Sequence, residues 1–167
     1  MEITHYEQGD GKLGIEGCLI DRHLNPYRLA TGERKPPGIV HHLTIRLLLD
    51  VPSLKIEEVE VQMLKVPHQE CLEIANCLVQ VKGLTLSGGF ISKARELAGL
   101  VKGCSHLTAL LTSMVPAAFQ GLAAYHLQKS SGLESIADEV IQFLVNTCWS
   151  WRKDGPLVKE YQKQWFS

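Results

Sequence analysis

The residues best equipped for chemistry in this sequence lie in Gly103-Cys104-Ser105-His106-Leu107. The stretch falls where the pattern predicts a helix to begin. A thiol and an imidazole at such a point can hold a metal ion, or the ionised thiol can attack an electrophile. Free backbone N–H groups and the positive end of a helix favour a thiolate. Gly103 allows a close backbone approach, and Ser105 is the candidate N-cap. Residues two apart on a regular helix point to nearly opposite sides, at about 100° per residue, so Cys104 and His106 converge only if Cys104 lies outside the helix. The plainer reading is a packed thiol beside a histidine that bonds locally.

Upstream, His68 and Cys71 are three residues apart and would share a helix face. Thiolate and imidazole are the donors that zinc and iron sites use. The sequence holds no Cys-x-x-Cys pair, so it carries no zinc-ribbon signature. Tandem His41-His42 opens a predicted strand, and alternation sends the two rings to opposite faces, so at most one of them joins a site. The candidate metal ligands are therefore His41, Cys71, Cys104 and His106, with Cys148 as a further donor. The candidate catalytic groups are Cys104 as nucleophile and His106 beside it, with Cys71 as a resolving thiol. Zinc, iron or an iron–sulfur cluster are the cofactors such a set would take. Cys18 and Cys77 read as packed thiols. Glu57, Glu58 and Glu60 read as a solvated strand face, and no carboxylate pair stands out for acid–base work. Gly88-Gly89 is a turn signal without the Gly and Lys spacing of a phosphate-binding loop.

Three predicted strands must position these groups. Lys12–Leu24 follows the turn signal Gly9-Asp10-Gly11. Ile39–Asp50 alternates polar His42, Thr44 and Arg46 with apolar Leu43, Ile45 and Leu47. Ile56–Val66 alternates again and stops at Pro67. Short returns between them predict an antiparallel meander with one solvated face. Between the first two lies a Pro-, Gly- and charge-rich loop, Asn25–Gly38, of a length often tied to function. Helical stripes follow at His68–Val81, Phe90–Val101, Ser105–Tyr125 and Leu133–Trp151, with a kink or break expected at Pro116. Leu84-Thr85-Leu86 reads as a short extended piece, and Leu157–Ser167 as an amphipathic tail. Trp149, Trp151 and Trp165 read as core or docking residues. The expected fold is α+β: a three-stranded antiparallel sheet in the N-terminal third, packed against a C-terminal part of about four helices, in a single domain, 1–167.

Composition narrows the function classes. The chain has 167 residues, 45% hydrophobic and 21% charged, with a formal net charge of −1. Those are values of an ordinary globular protein with room for a core. No overall field draws in nucleic acid or an anionic membrane, and no run is expected to reach the ~20 apolar residues of a bilayer span. Met1-Glu2-Ile3-Thr4-His5-Tyr6 lacks the basic start and apolar core of a secretory signal. Five widely spaced cysteines, an odd number, argue against a secreted disulfide scaffold and for a reducing cytoplasm.

The motifs also carry a resemblance. Asp10-Gly11, Ile15-Glu16-Gly17 and Asp21, then Pro37-Gly38, His41, Arg46-Leu47 and Asp50, resemble a bacterial family known as domain of unknown function 2889. The likeness continues at Pro67, Cys71, Val81-Lys82-Gly83-Leu84, Gly89-Phe90 and Gly103-Cys104-Ser105-His106-Leu107 with Leu110-Leu111. It ends at Asn146-Thr147-Cys148, Arg152 and Asp154-Gly155. The Gly-Cys-Ser/Thr-His-Leu element is the most specific part. The family more often has Asp in place of His42 and His in place of Trp149. Its name implies no activity. By topology the chain is also similar to the iron–sulfur scaffold fold of the IscU and SufE type, which places ligands before its second strand, after its third and at the start of a late helix. That likeness implies that His41, Cys71, Cys104 and His106 cluster. Three functions compete: a metal or cluster scaffold, a thiol enzyme or sulfur acceptor using Cys104, and an interaction or ligand-binding module with a protein partner.

Overall fold

The computed structural model describes residues 1–129 and 144–165. The chain divides into two compact units, Met1–Val115 and Pro116–Ser167.

The first unit is built on an antiparallel sheet of four strands in the order β1 (Glu2–Glu7), β2 (Lys12–His23), β5 (Gly38–Asp50), β6 (Lys55–Lys65). Three of these are the expected meander. β1 is the addition, and the sequence hid it because all of its residues except half-buried Ile3 are exposed. An edge strand with no buried face has no hydrophobic alternation to read. Its imprint lies instead on β2, where Gly14 makes room for Tyr6: a Cβ there would lie 2.4 Å from the ring.

Register decides which side chains face inward. Leu13, Ile15, Gly17 and Leu19 on β2 oppose Leu49, Leu47, Ile45 and Leu43 on β5, and all of them are buried. Ile56 and Val59 on β6 pair with Leu49 and Leu47, leaving Glu57 as an extra, unpaired residue. That bulge lets an even and an odd position share the inner face. The outer face carries Arg46 between Glu16 and Glu60, and Lys12 beside Glu57 and Asp50.

The long loop after β2 contains a small hairpin, β3 (Tyr27–Arg28) paired with β4 (Arg34–Lys35). Past β6 the expected helix over His68–Val81 is corrected to two 3₁₀ segments, Gln69–Ile74 and Cys77–Val81. Bonds of three-residue span close them, Cys71 N–H to His68 O at 3.2 Å and Val79 N–H to Asn76 O at 3.1 Å. Asn76, in a bridge conformation (φ −91°, ψ 9°), separates them. Leu78 and Val81 are buried while Leu72 and Val79 stay exposed, a three-residue repeat matching 3₁₀ geometry. Leu84–Leu86 pairs with the start of β6 through Ile56 N–H to Leu84 O and Leu86 N–H to Leu54 O, both 2.9 Å. Helix α1 spans Phe90–Ala98, with a 3₁₀ turn at Leu100–Lys102.

Helix α2 spans Ser105–Lys129, with Pro116 inside it. The expected break is absent, because one lost hydrogen bond is a local cost in a 25-residue helix whose neighbouring Met114, Val115 and Ala118 are buried. Gly17 marks its contact with the sheet: a Cβ there would lie 2.6 Å from Met114 Sδ and 3.2 Å from Leu110. Over Ser105–His126 the helix does reach the length and apolarity of a bilayer span, at mean hydropathy 1.4, which corrects the expectation that no run does. With 56% of that window buried within the protein, the same composition describes a core helix.

In the second unit, the expected loop 130–132 and residues 133–143 of the expected Leu133–Trp151 helix lie outside the described residues. From Leu144 onward the chain turns rather than continuing to Trp151. Asn146 takes a left-handed conformation (φ 63°) within that turn. Trp151 packs against Ala123 and Leu144. Trp149 is 79% exposed, with the Arg152 guanidinium 4.1 Å from its ring centroid. Helix α3, Pro156–Trp165, forms the tail, its proline suited to a first helical turn.

Candidate functional site

The inward face of the sheet delivers the first two groups. On β5, His41 shares the face of Leu43 and Ile45, and it is 9% exposed. On β2, Asp21 continues the series Leu13, Ile15, Gly17, Leu19 and stands directly opposite His41. Cross-strand neighbours sit close enough for side chains to bond, and His41 Nδ1 lies 2.7 Å from Asp21 Oδ2. An ionised carboxylate accepts from Nδ1–H, which leaves Nε2 of His41 with its lone pair. His42, one residue on, pairs with Ile20 and Lys65 on the other side of the sheet. Two bulges flank His41. Asp21 pairs with His41 and Arg22 with Ile39, leaving Val40 extra; His42 pairs with Lys65 and Leu43 with Met63, leaving Leu64 extra. Bulges re-aim side chains and recur beside functional sites.

The third and fourth groups come from the start of α2. Cys104 lies outside the helix, and its carbonyl accepts the first helical bond from Thr108 N–H at 2.9 Å. Cys104, not Ser105, therefore holds the capping position. Its Sγ is 3.9 Å from His106 Nδ1, so the two groups converge in the way the spacing required. The His106 ring stacks on that of His41, with centroids 3.9 Å apart and planes at 29°. Burial pushes the His106 imidazole below its ordinary value of 6.5; neighbouring His41 pushes the same way, and Asp21 opposes both.

Gly103 is needed here for space. A Cβ on it would lie 2.3 Å from Ala98 O and 3.0 Å from Cys77 Sγ. Cys77 is thus the floor beneath the Gly103–Cys104 turn, and burial raises its thiol pKa, which keeps it protonated. Cys71 arrives from the first 3₁₀ segment. At three residues per turn Cys71 and Ile74 share an edge, and both line the same pocket.

That pocket has a volume of about 320 Å³, and His41, Cys71, Cys104 and His106 all border it, with Met63 and Val66 of the β6 end beside them. Asp21, His41 and His106 each offer a ligand atom within 4.8 Å of the others. Asp21 stands among the motifs of the family resemblance but is the one member of this cluster that the sequence reading did not name as a site residue. The available signal was a carboxylate at core parity on a strand whose preceding odd positions, Leu13 to Leu19, are apolar or Gly. His68 is not among the pocket-lining residues. Cys148 is exposed and belongs to the second unit. Cys18 is half-buried, at outer-face parity on β2 opposite Thr44.

A family model, "Protein of unknown function (DUF2889)", matches residues 1–120. The matched span holds Asp21, His41, Cys71, Cys104 and His106, whereas the likeness read at Asn146–Gly155 lies beyond it. No curated protein and no solved structure matches the chain, so the topological likeness to the iron–sulfur scaffolds gains no support.

Proposed function

This chain belongs to the DUF2889 family of proteins of unknown function, and we propose that it binds a divalent transition metal, zinc or ferrous iron, at the Asp21–His41–His106 cluster, whose two imidazoles border the pocket. The observation that carries this reading is the meeting of those three ligand atoms within 4.8 Å. An imidazole whose far nitrogen bonds a carboxylate is the arrangement that orients metal-bound histidines. A histidine biased toward its neutral form, as His106 is, keeps its lone pair available near neutral pH. Cys104 and Cys71 border the pocket beside the two imidazoles and are the sulfur donors this reading adds to the cluster. Imidazole with thiolate suits zinc and iron and is foreign to magnesium and calcium. A wall opening on a pocket leaves an ion a position for water or a small ligand, as catalytic zinc sites do.

Metal analysis of protein purified without a histidine tag, followed by titration with zinc and ferrous ions, tests the reading. The expected result is uptake of roughly one ion per chain, abolished by H41N/H106N. Uptake that is absent, or equal in the double variant, overturns it.

One contact favours a second reading. Cys104 Sγ beside His106 Nδ1 is also the arrangement of a thiol nucleophile with its imidazole partner. The two readings part on labelling. Under the metal reading zinc protects Cys104 from iodoacetamide; under the thiol reading zinc leaves labelling unchanged, and H106N slows it.

A further inference from the structure

A second cleft of about 420 Å³ lies at the same end of the sheet and shares Val66 as a wall with the pocket just described. Three of its lining side chains are cationic, Arg22, Lys35 and Lys65, and no acidic residue lines it among the described residues. Each cation reaches it from a distinct structural device. Arg22 follows the bulge on which β2 ends its pairing with His41, Lys65 closes β6 opposite His42, and Lys35 comes from the β3–β4 hairpin. The hairpin is the Pro- and Gly-rich loop that the sequence marks as long. Arg28 Nη1 donating to Gly32 O at 3.0 Å ties its turn. Its Tyr27 lines the cleft, held in place by stacking on His23 at 4.3 Å between centroids.

The nearby carboxylates are engaged. Glu33 pairs with Lys35 at 2.5 Å, and Asp21 is bonded to His41. Arg22 and Lys65 have no ion-pair partner among the described residues. A chain of net charge −1 has here gathered cations in a concavity whose remaining walls are apolar or aromatic. Guanidinium and ammonium groups converging in a small cleft recognise carboxylate and phosphate oxygens. An aromatic wall then suits the flat or apolar body of the molecule that carries them.

We propose that this cleft is an oxyanion-binding site, taking the carboxylate or phosphate group of a small organic molecule through Arg22 and Lys65, with Lys35 held at its edge by Glu33. It does not depend on a metal being bound next door. The shared Val66 wall makes it a neighbour of that pocket.

The test uses full-length protein stripped with a chelator and followed by amide NMR. The probes are inorganic phosphate, benzoate and, as a neutral control, benzamide. Phosphate or benzoate is expected to shift the amides of Arg22, Val40, Lys65 and Val66 saturably, with dissociation constants of about a millimolar or tighter. Benzamide is expected to leave them in place. R22Q/K65Q changes two exposed side chains and should weaken the shifts at least roughly tenfold, whereas K93Q on α1 should not. Absence of saturation with both anions, equal shifts with benzamide, or unchanged affinity in R22Q/K65Q overturns the proposal. R22Q/K65Q is also expected to keep its metal uptake, so failure of either proposal is seen separately from failure of the other.

Discussion

His41 gains its chemistry from Asp21. A carboxylate bonded to one ring nitrogen fixes the tautomer and raises the basicity of the other. Asp21→Asn keeps the size and removes the charge, and its expected effect is a loss of metal affinity of about 10- to 100-fold, read by competition with a chromophoric chelator. Unchanged affinity would show that Asp21 is structural. His106 makes a prediction in pH. Its imidazole titrates below 6.5 in the folded chain, so the unfolded chain binds more protons over the interval between the two values. Stability should therefore be complete above about 6.5 and fall as pH drops toward the folded value. Urea midpoints of the metal-free protein between pH 7.5 and 5 are expected to decline, and H106Q should flatten that decline. A slope identical in H106Q would assign the loss to other groups.

At the scale of elements, small residues and bulges bring the site together. Gly17 lets α2 lie against β2, and α2 carries Cys104 and His106. Gly17→Ala places a methyl 2.6 Å from the sulfur of fully buried Met114. The expected destabilisation is about 1–3 kcal/mol, measured by denaturant unfolding. Met114→Ala should recover part of it, since contacting residues are non-additive. If Gly17→Ala alone is neutral, the helix has freedom to move that the packing denies. Several elements were legible in the sequence: β2, β5, β6, α1 and the start of α2 each carry their own period. The two 3₁₀ segments were not, because the stripe Cys71, Leu72, Leu78, Val79 fits a helix as well. Only its burial, with Leu72 and Val79 outside, separates a three-residue repeat from 3.6. Asn146, at φ 63°, lies in a turn where apolar spacing alone would carry a helix on to Trp151.

For the molecule as a whole, the proposed metal binding would be coupled to folding. An ion that binds only the folded chain stabilises it by about 2.7 kcal/mol at a free concentration 100-fold above its dissociation constant. Zinc should accordingly raise the thermal midpoint of the wild-type chain, and chelator should reverse the rise. H41N/H106N should show neither effect. A zinc-dependent rise that persists in that variant would place the ion elsewhere. The matched family span ends at residue 120, within α2, so these effects are expected to be governed by the first unit.

Read alone, the amino-acid order yields the α+β class, the strands that alternate, the convergence requirement that Cys104 lie ahead of its helix, and the opposite faces to which His41 and His42 turn. These depend on repeats of two to four residues, which a chain carries within short windows. That Asp21 stands opposite His41, that the His106 ring lies over His41, and that Cys71 borders the pocket of those imidazoles emerges with the folded chain. Cross-strand register and the docking of a helix on a sheet are set by contacts between residues far apart in the chain. No local period records them.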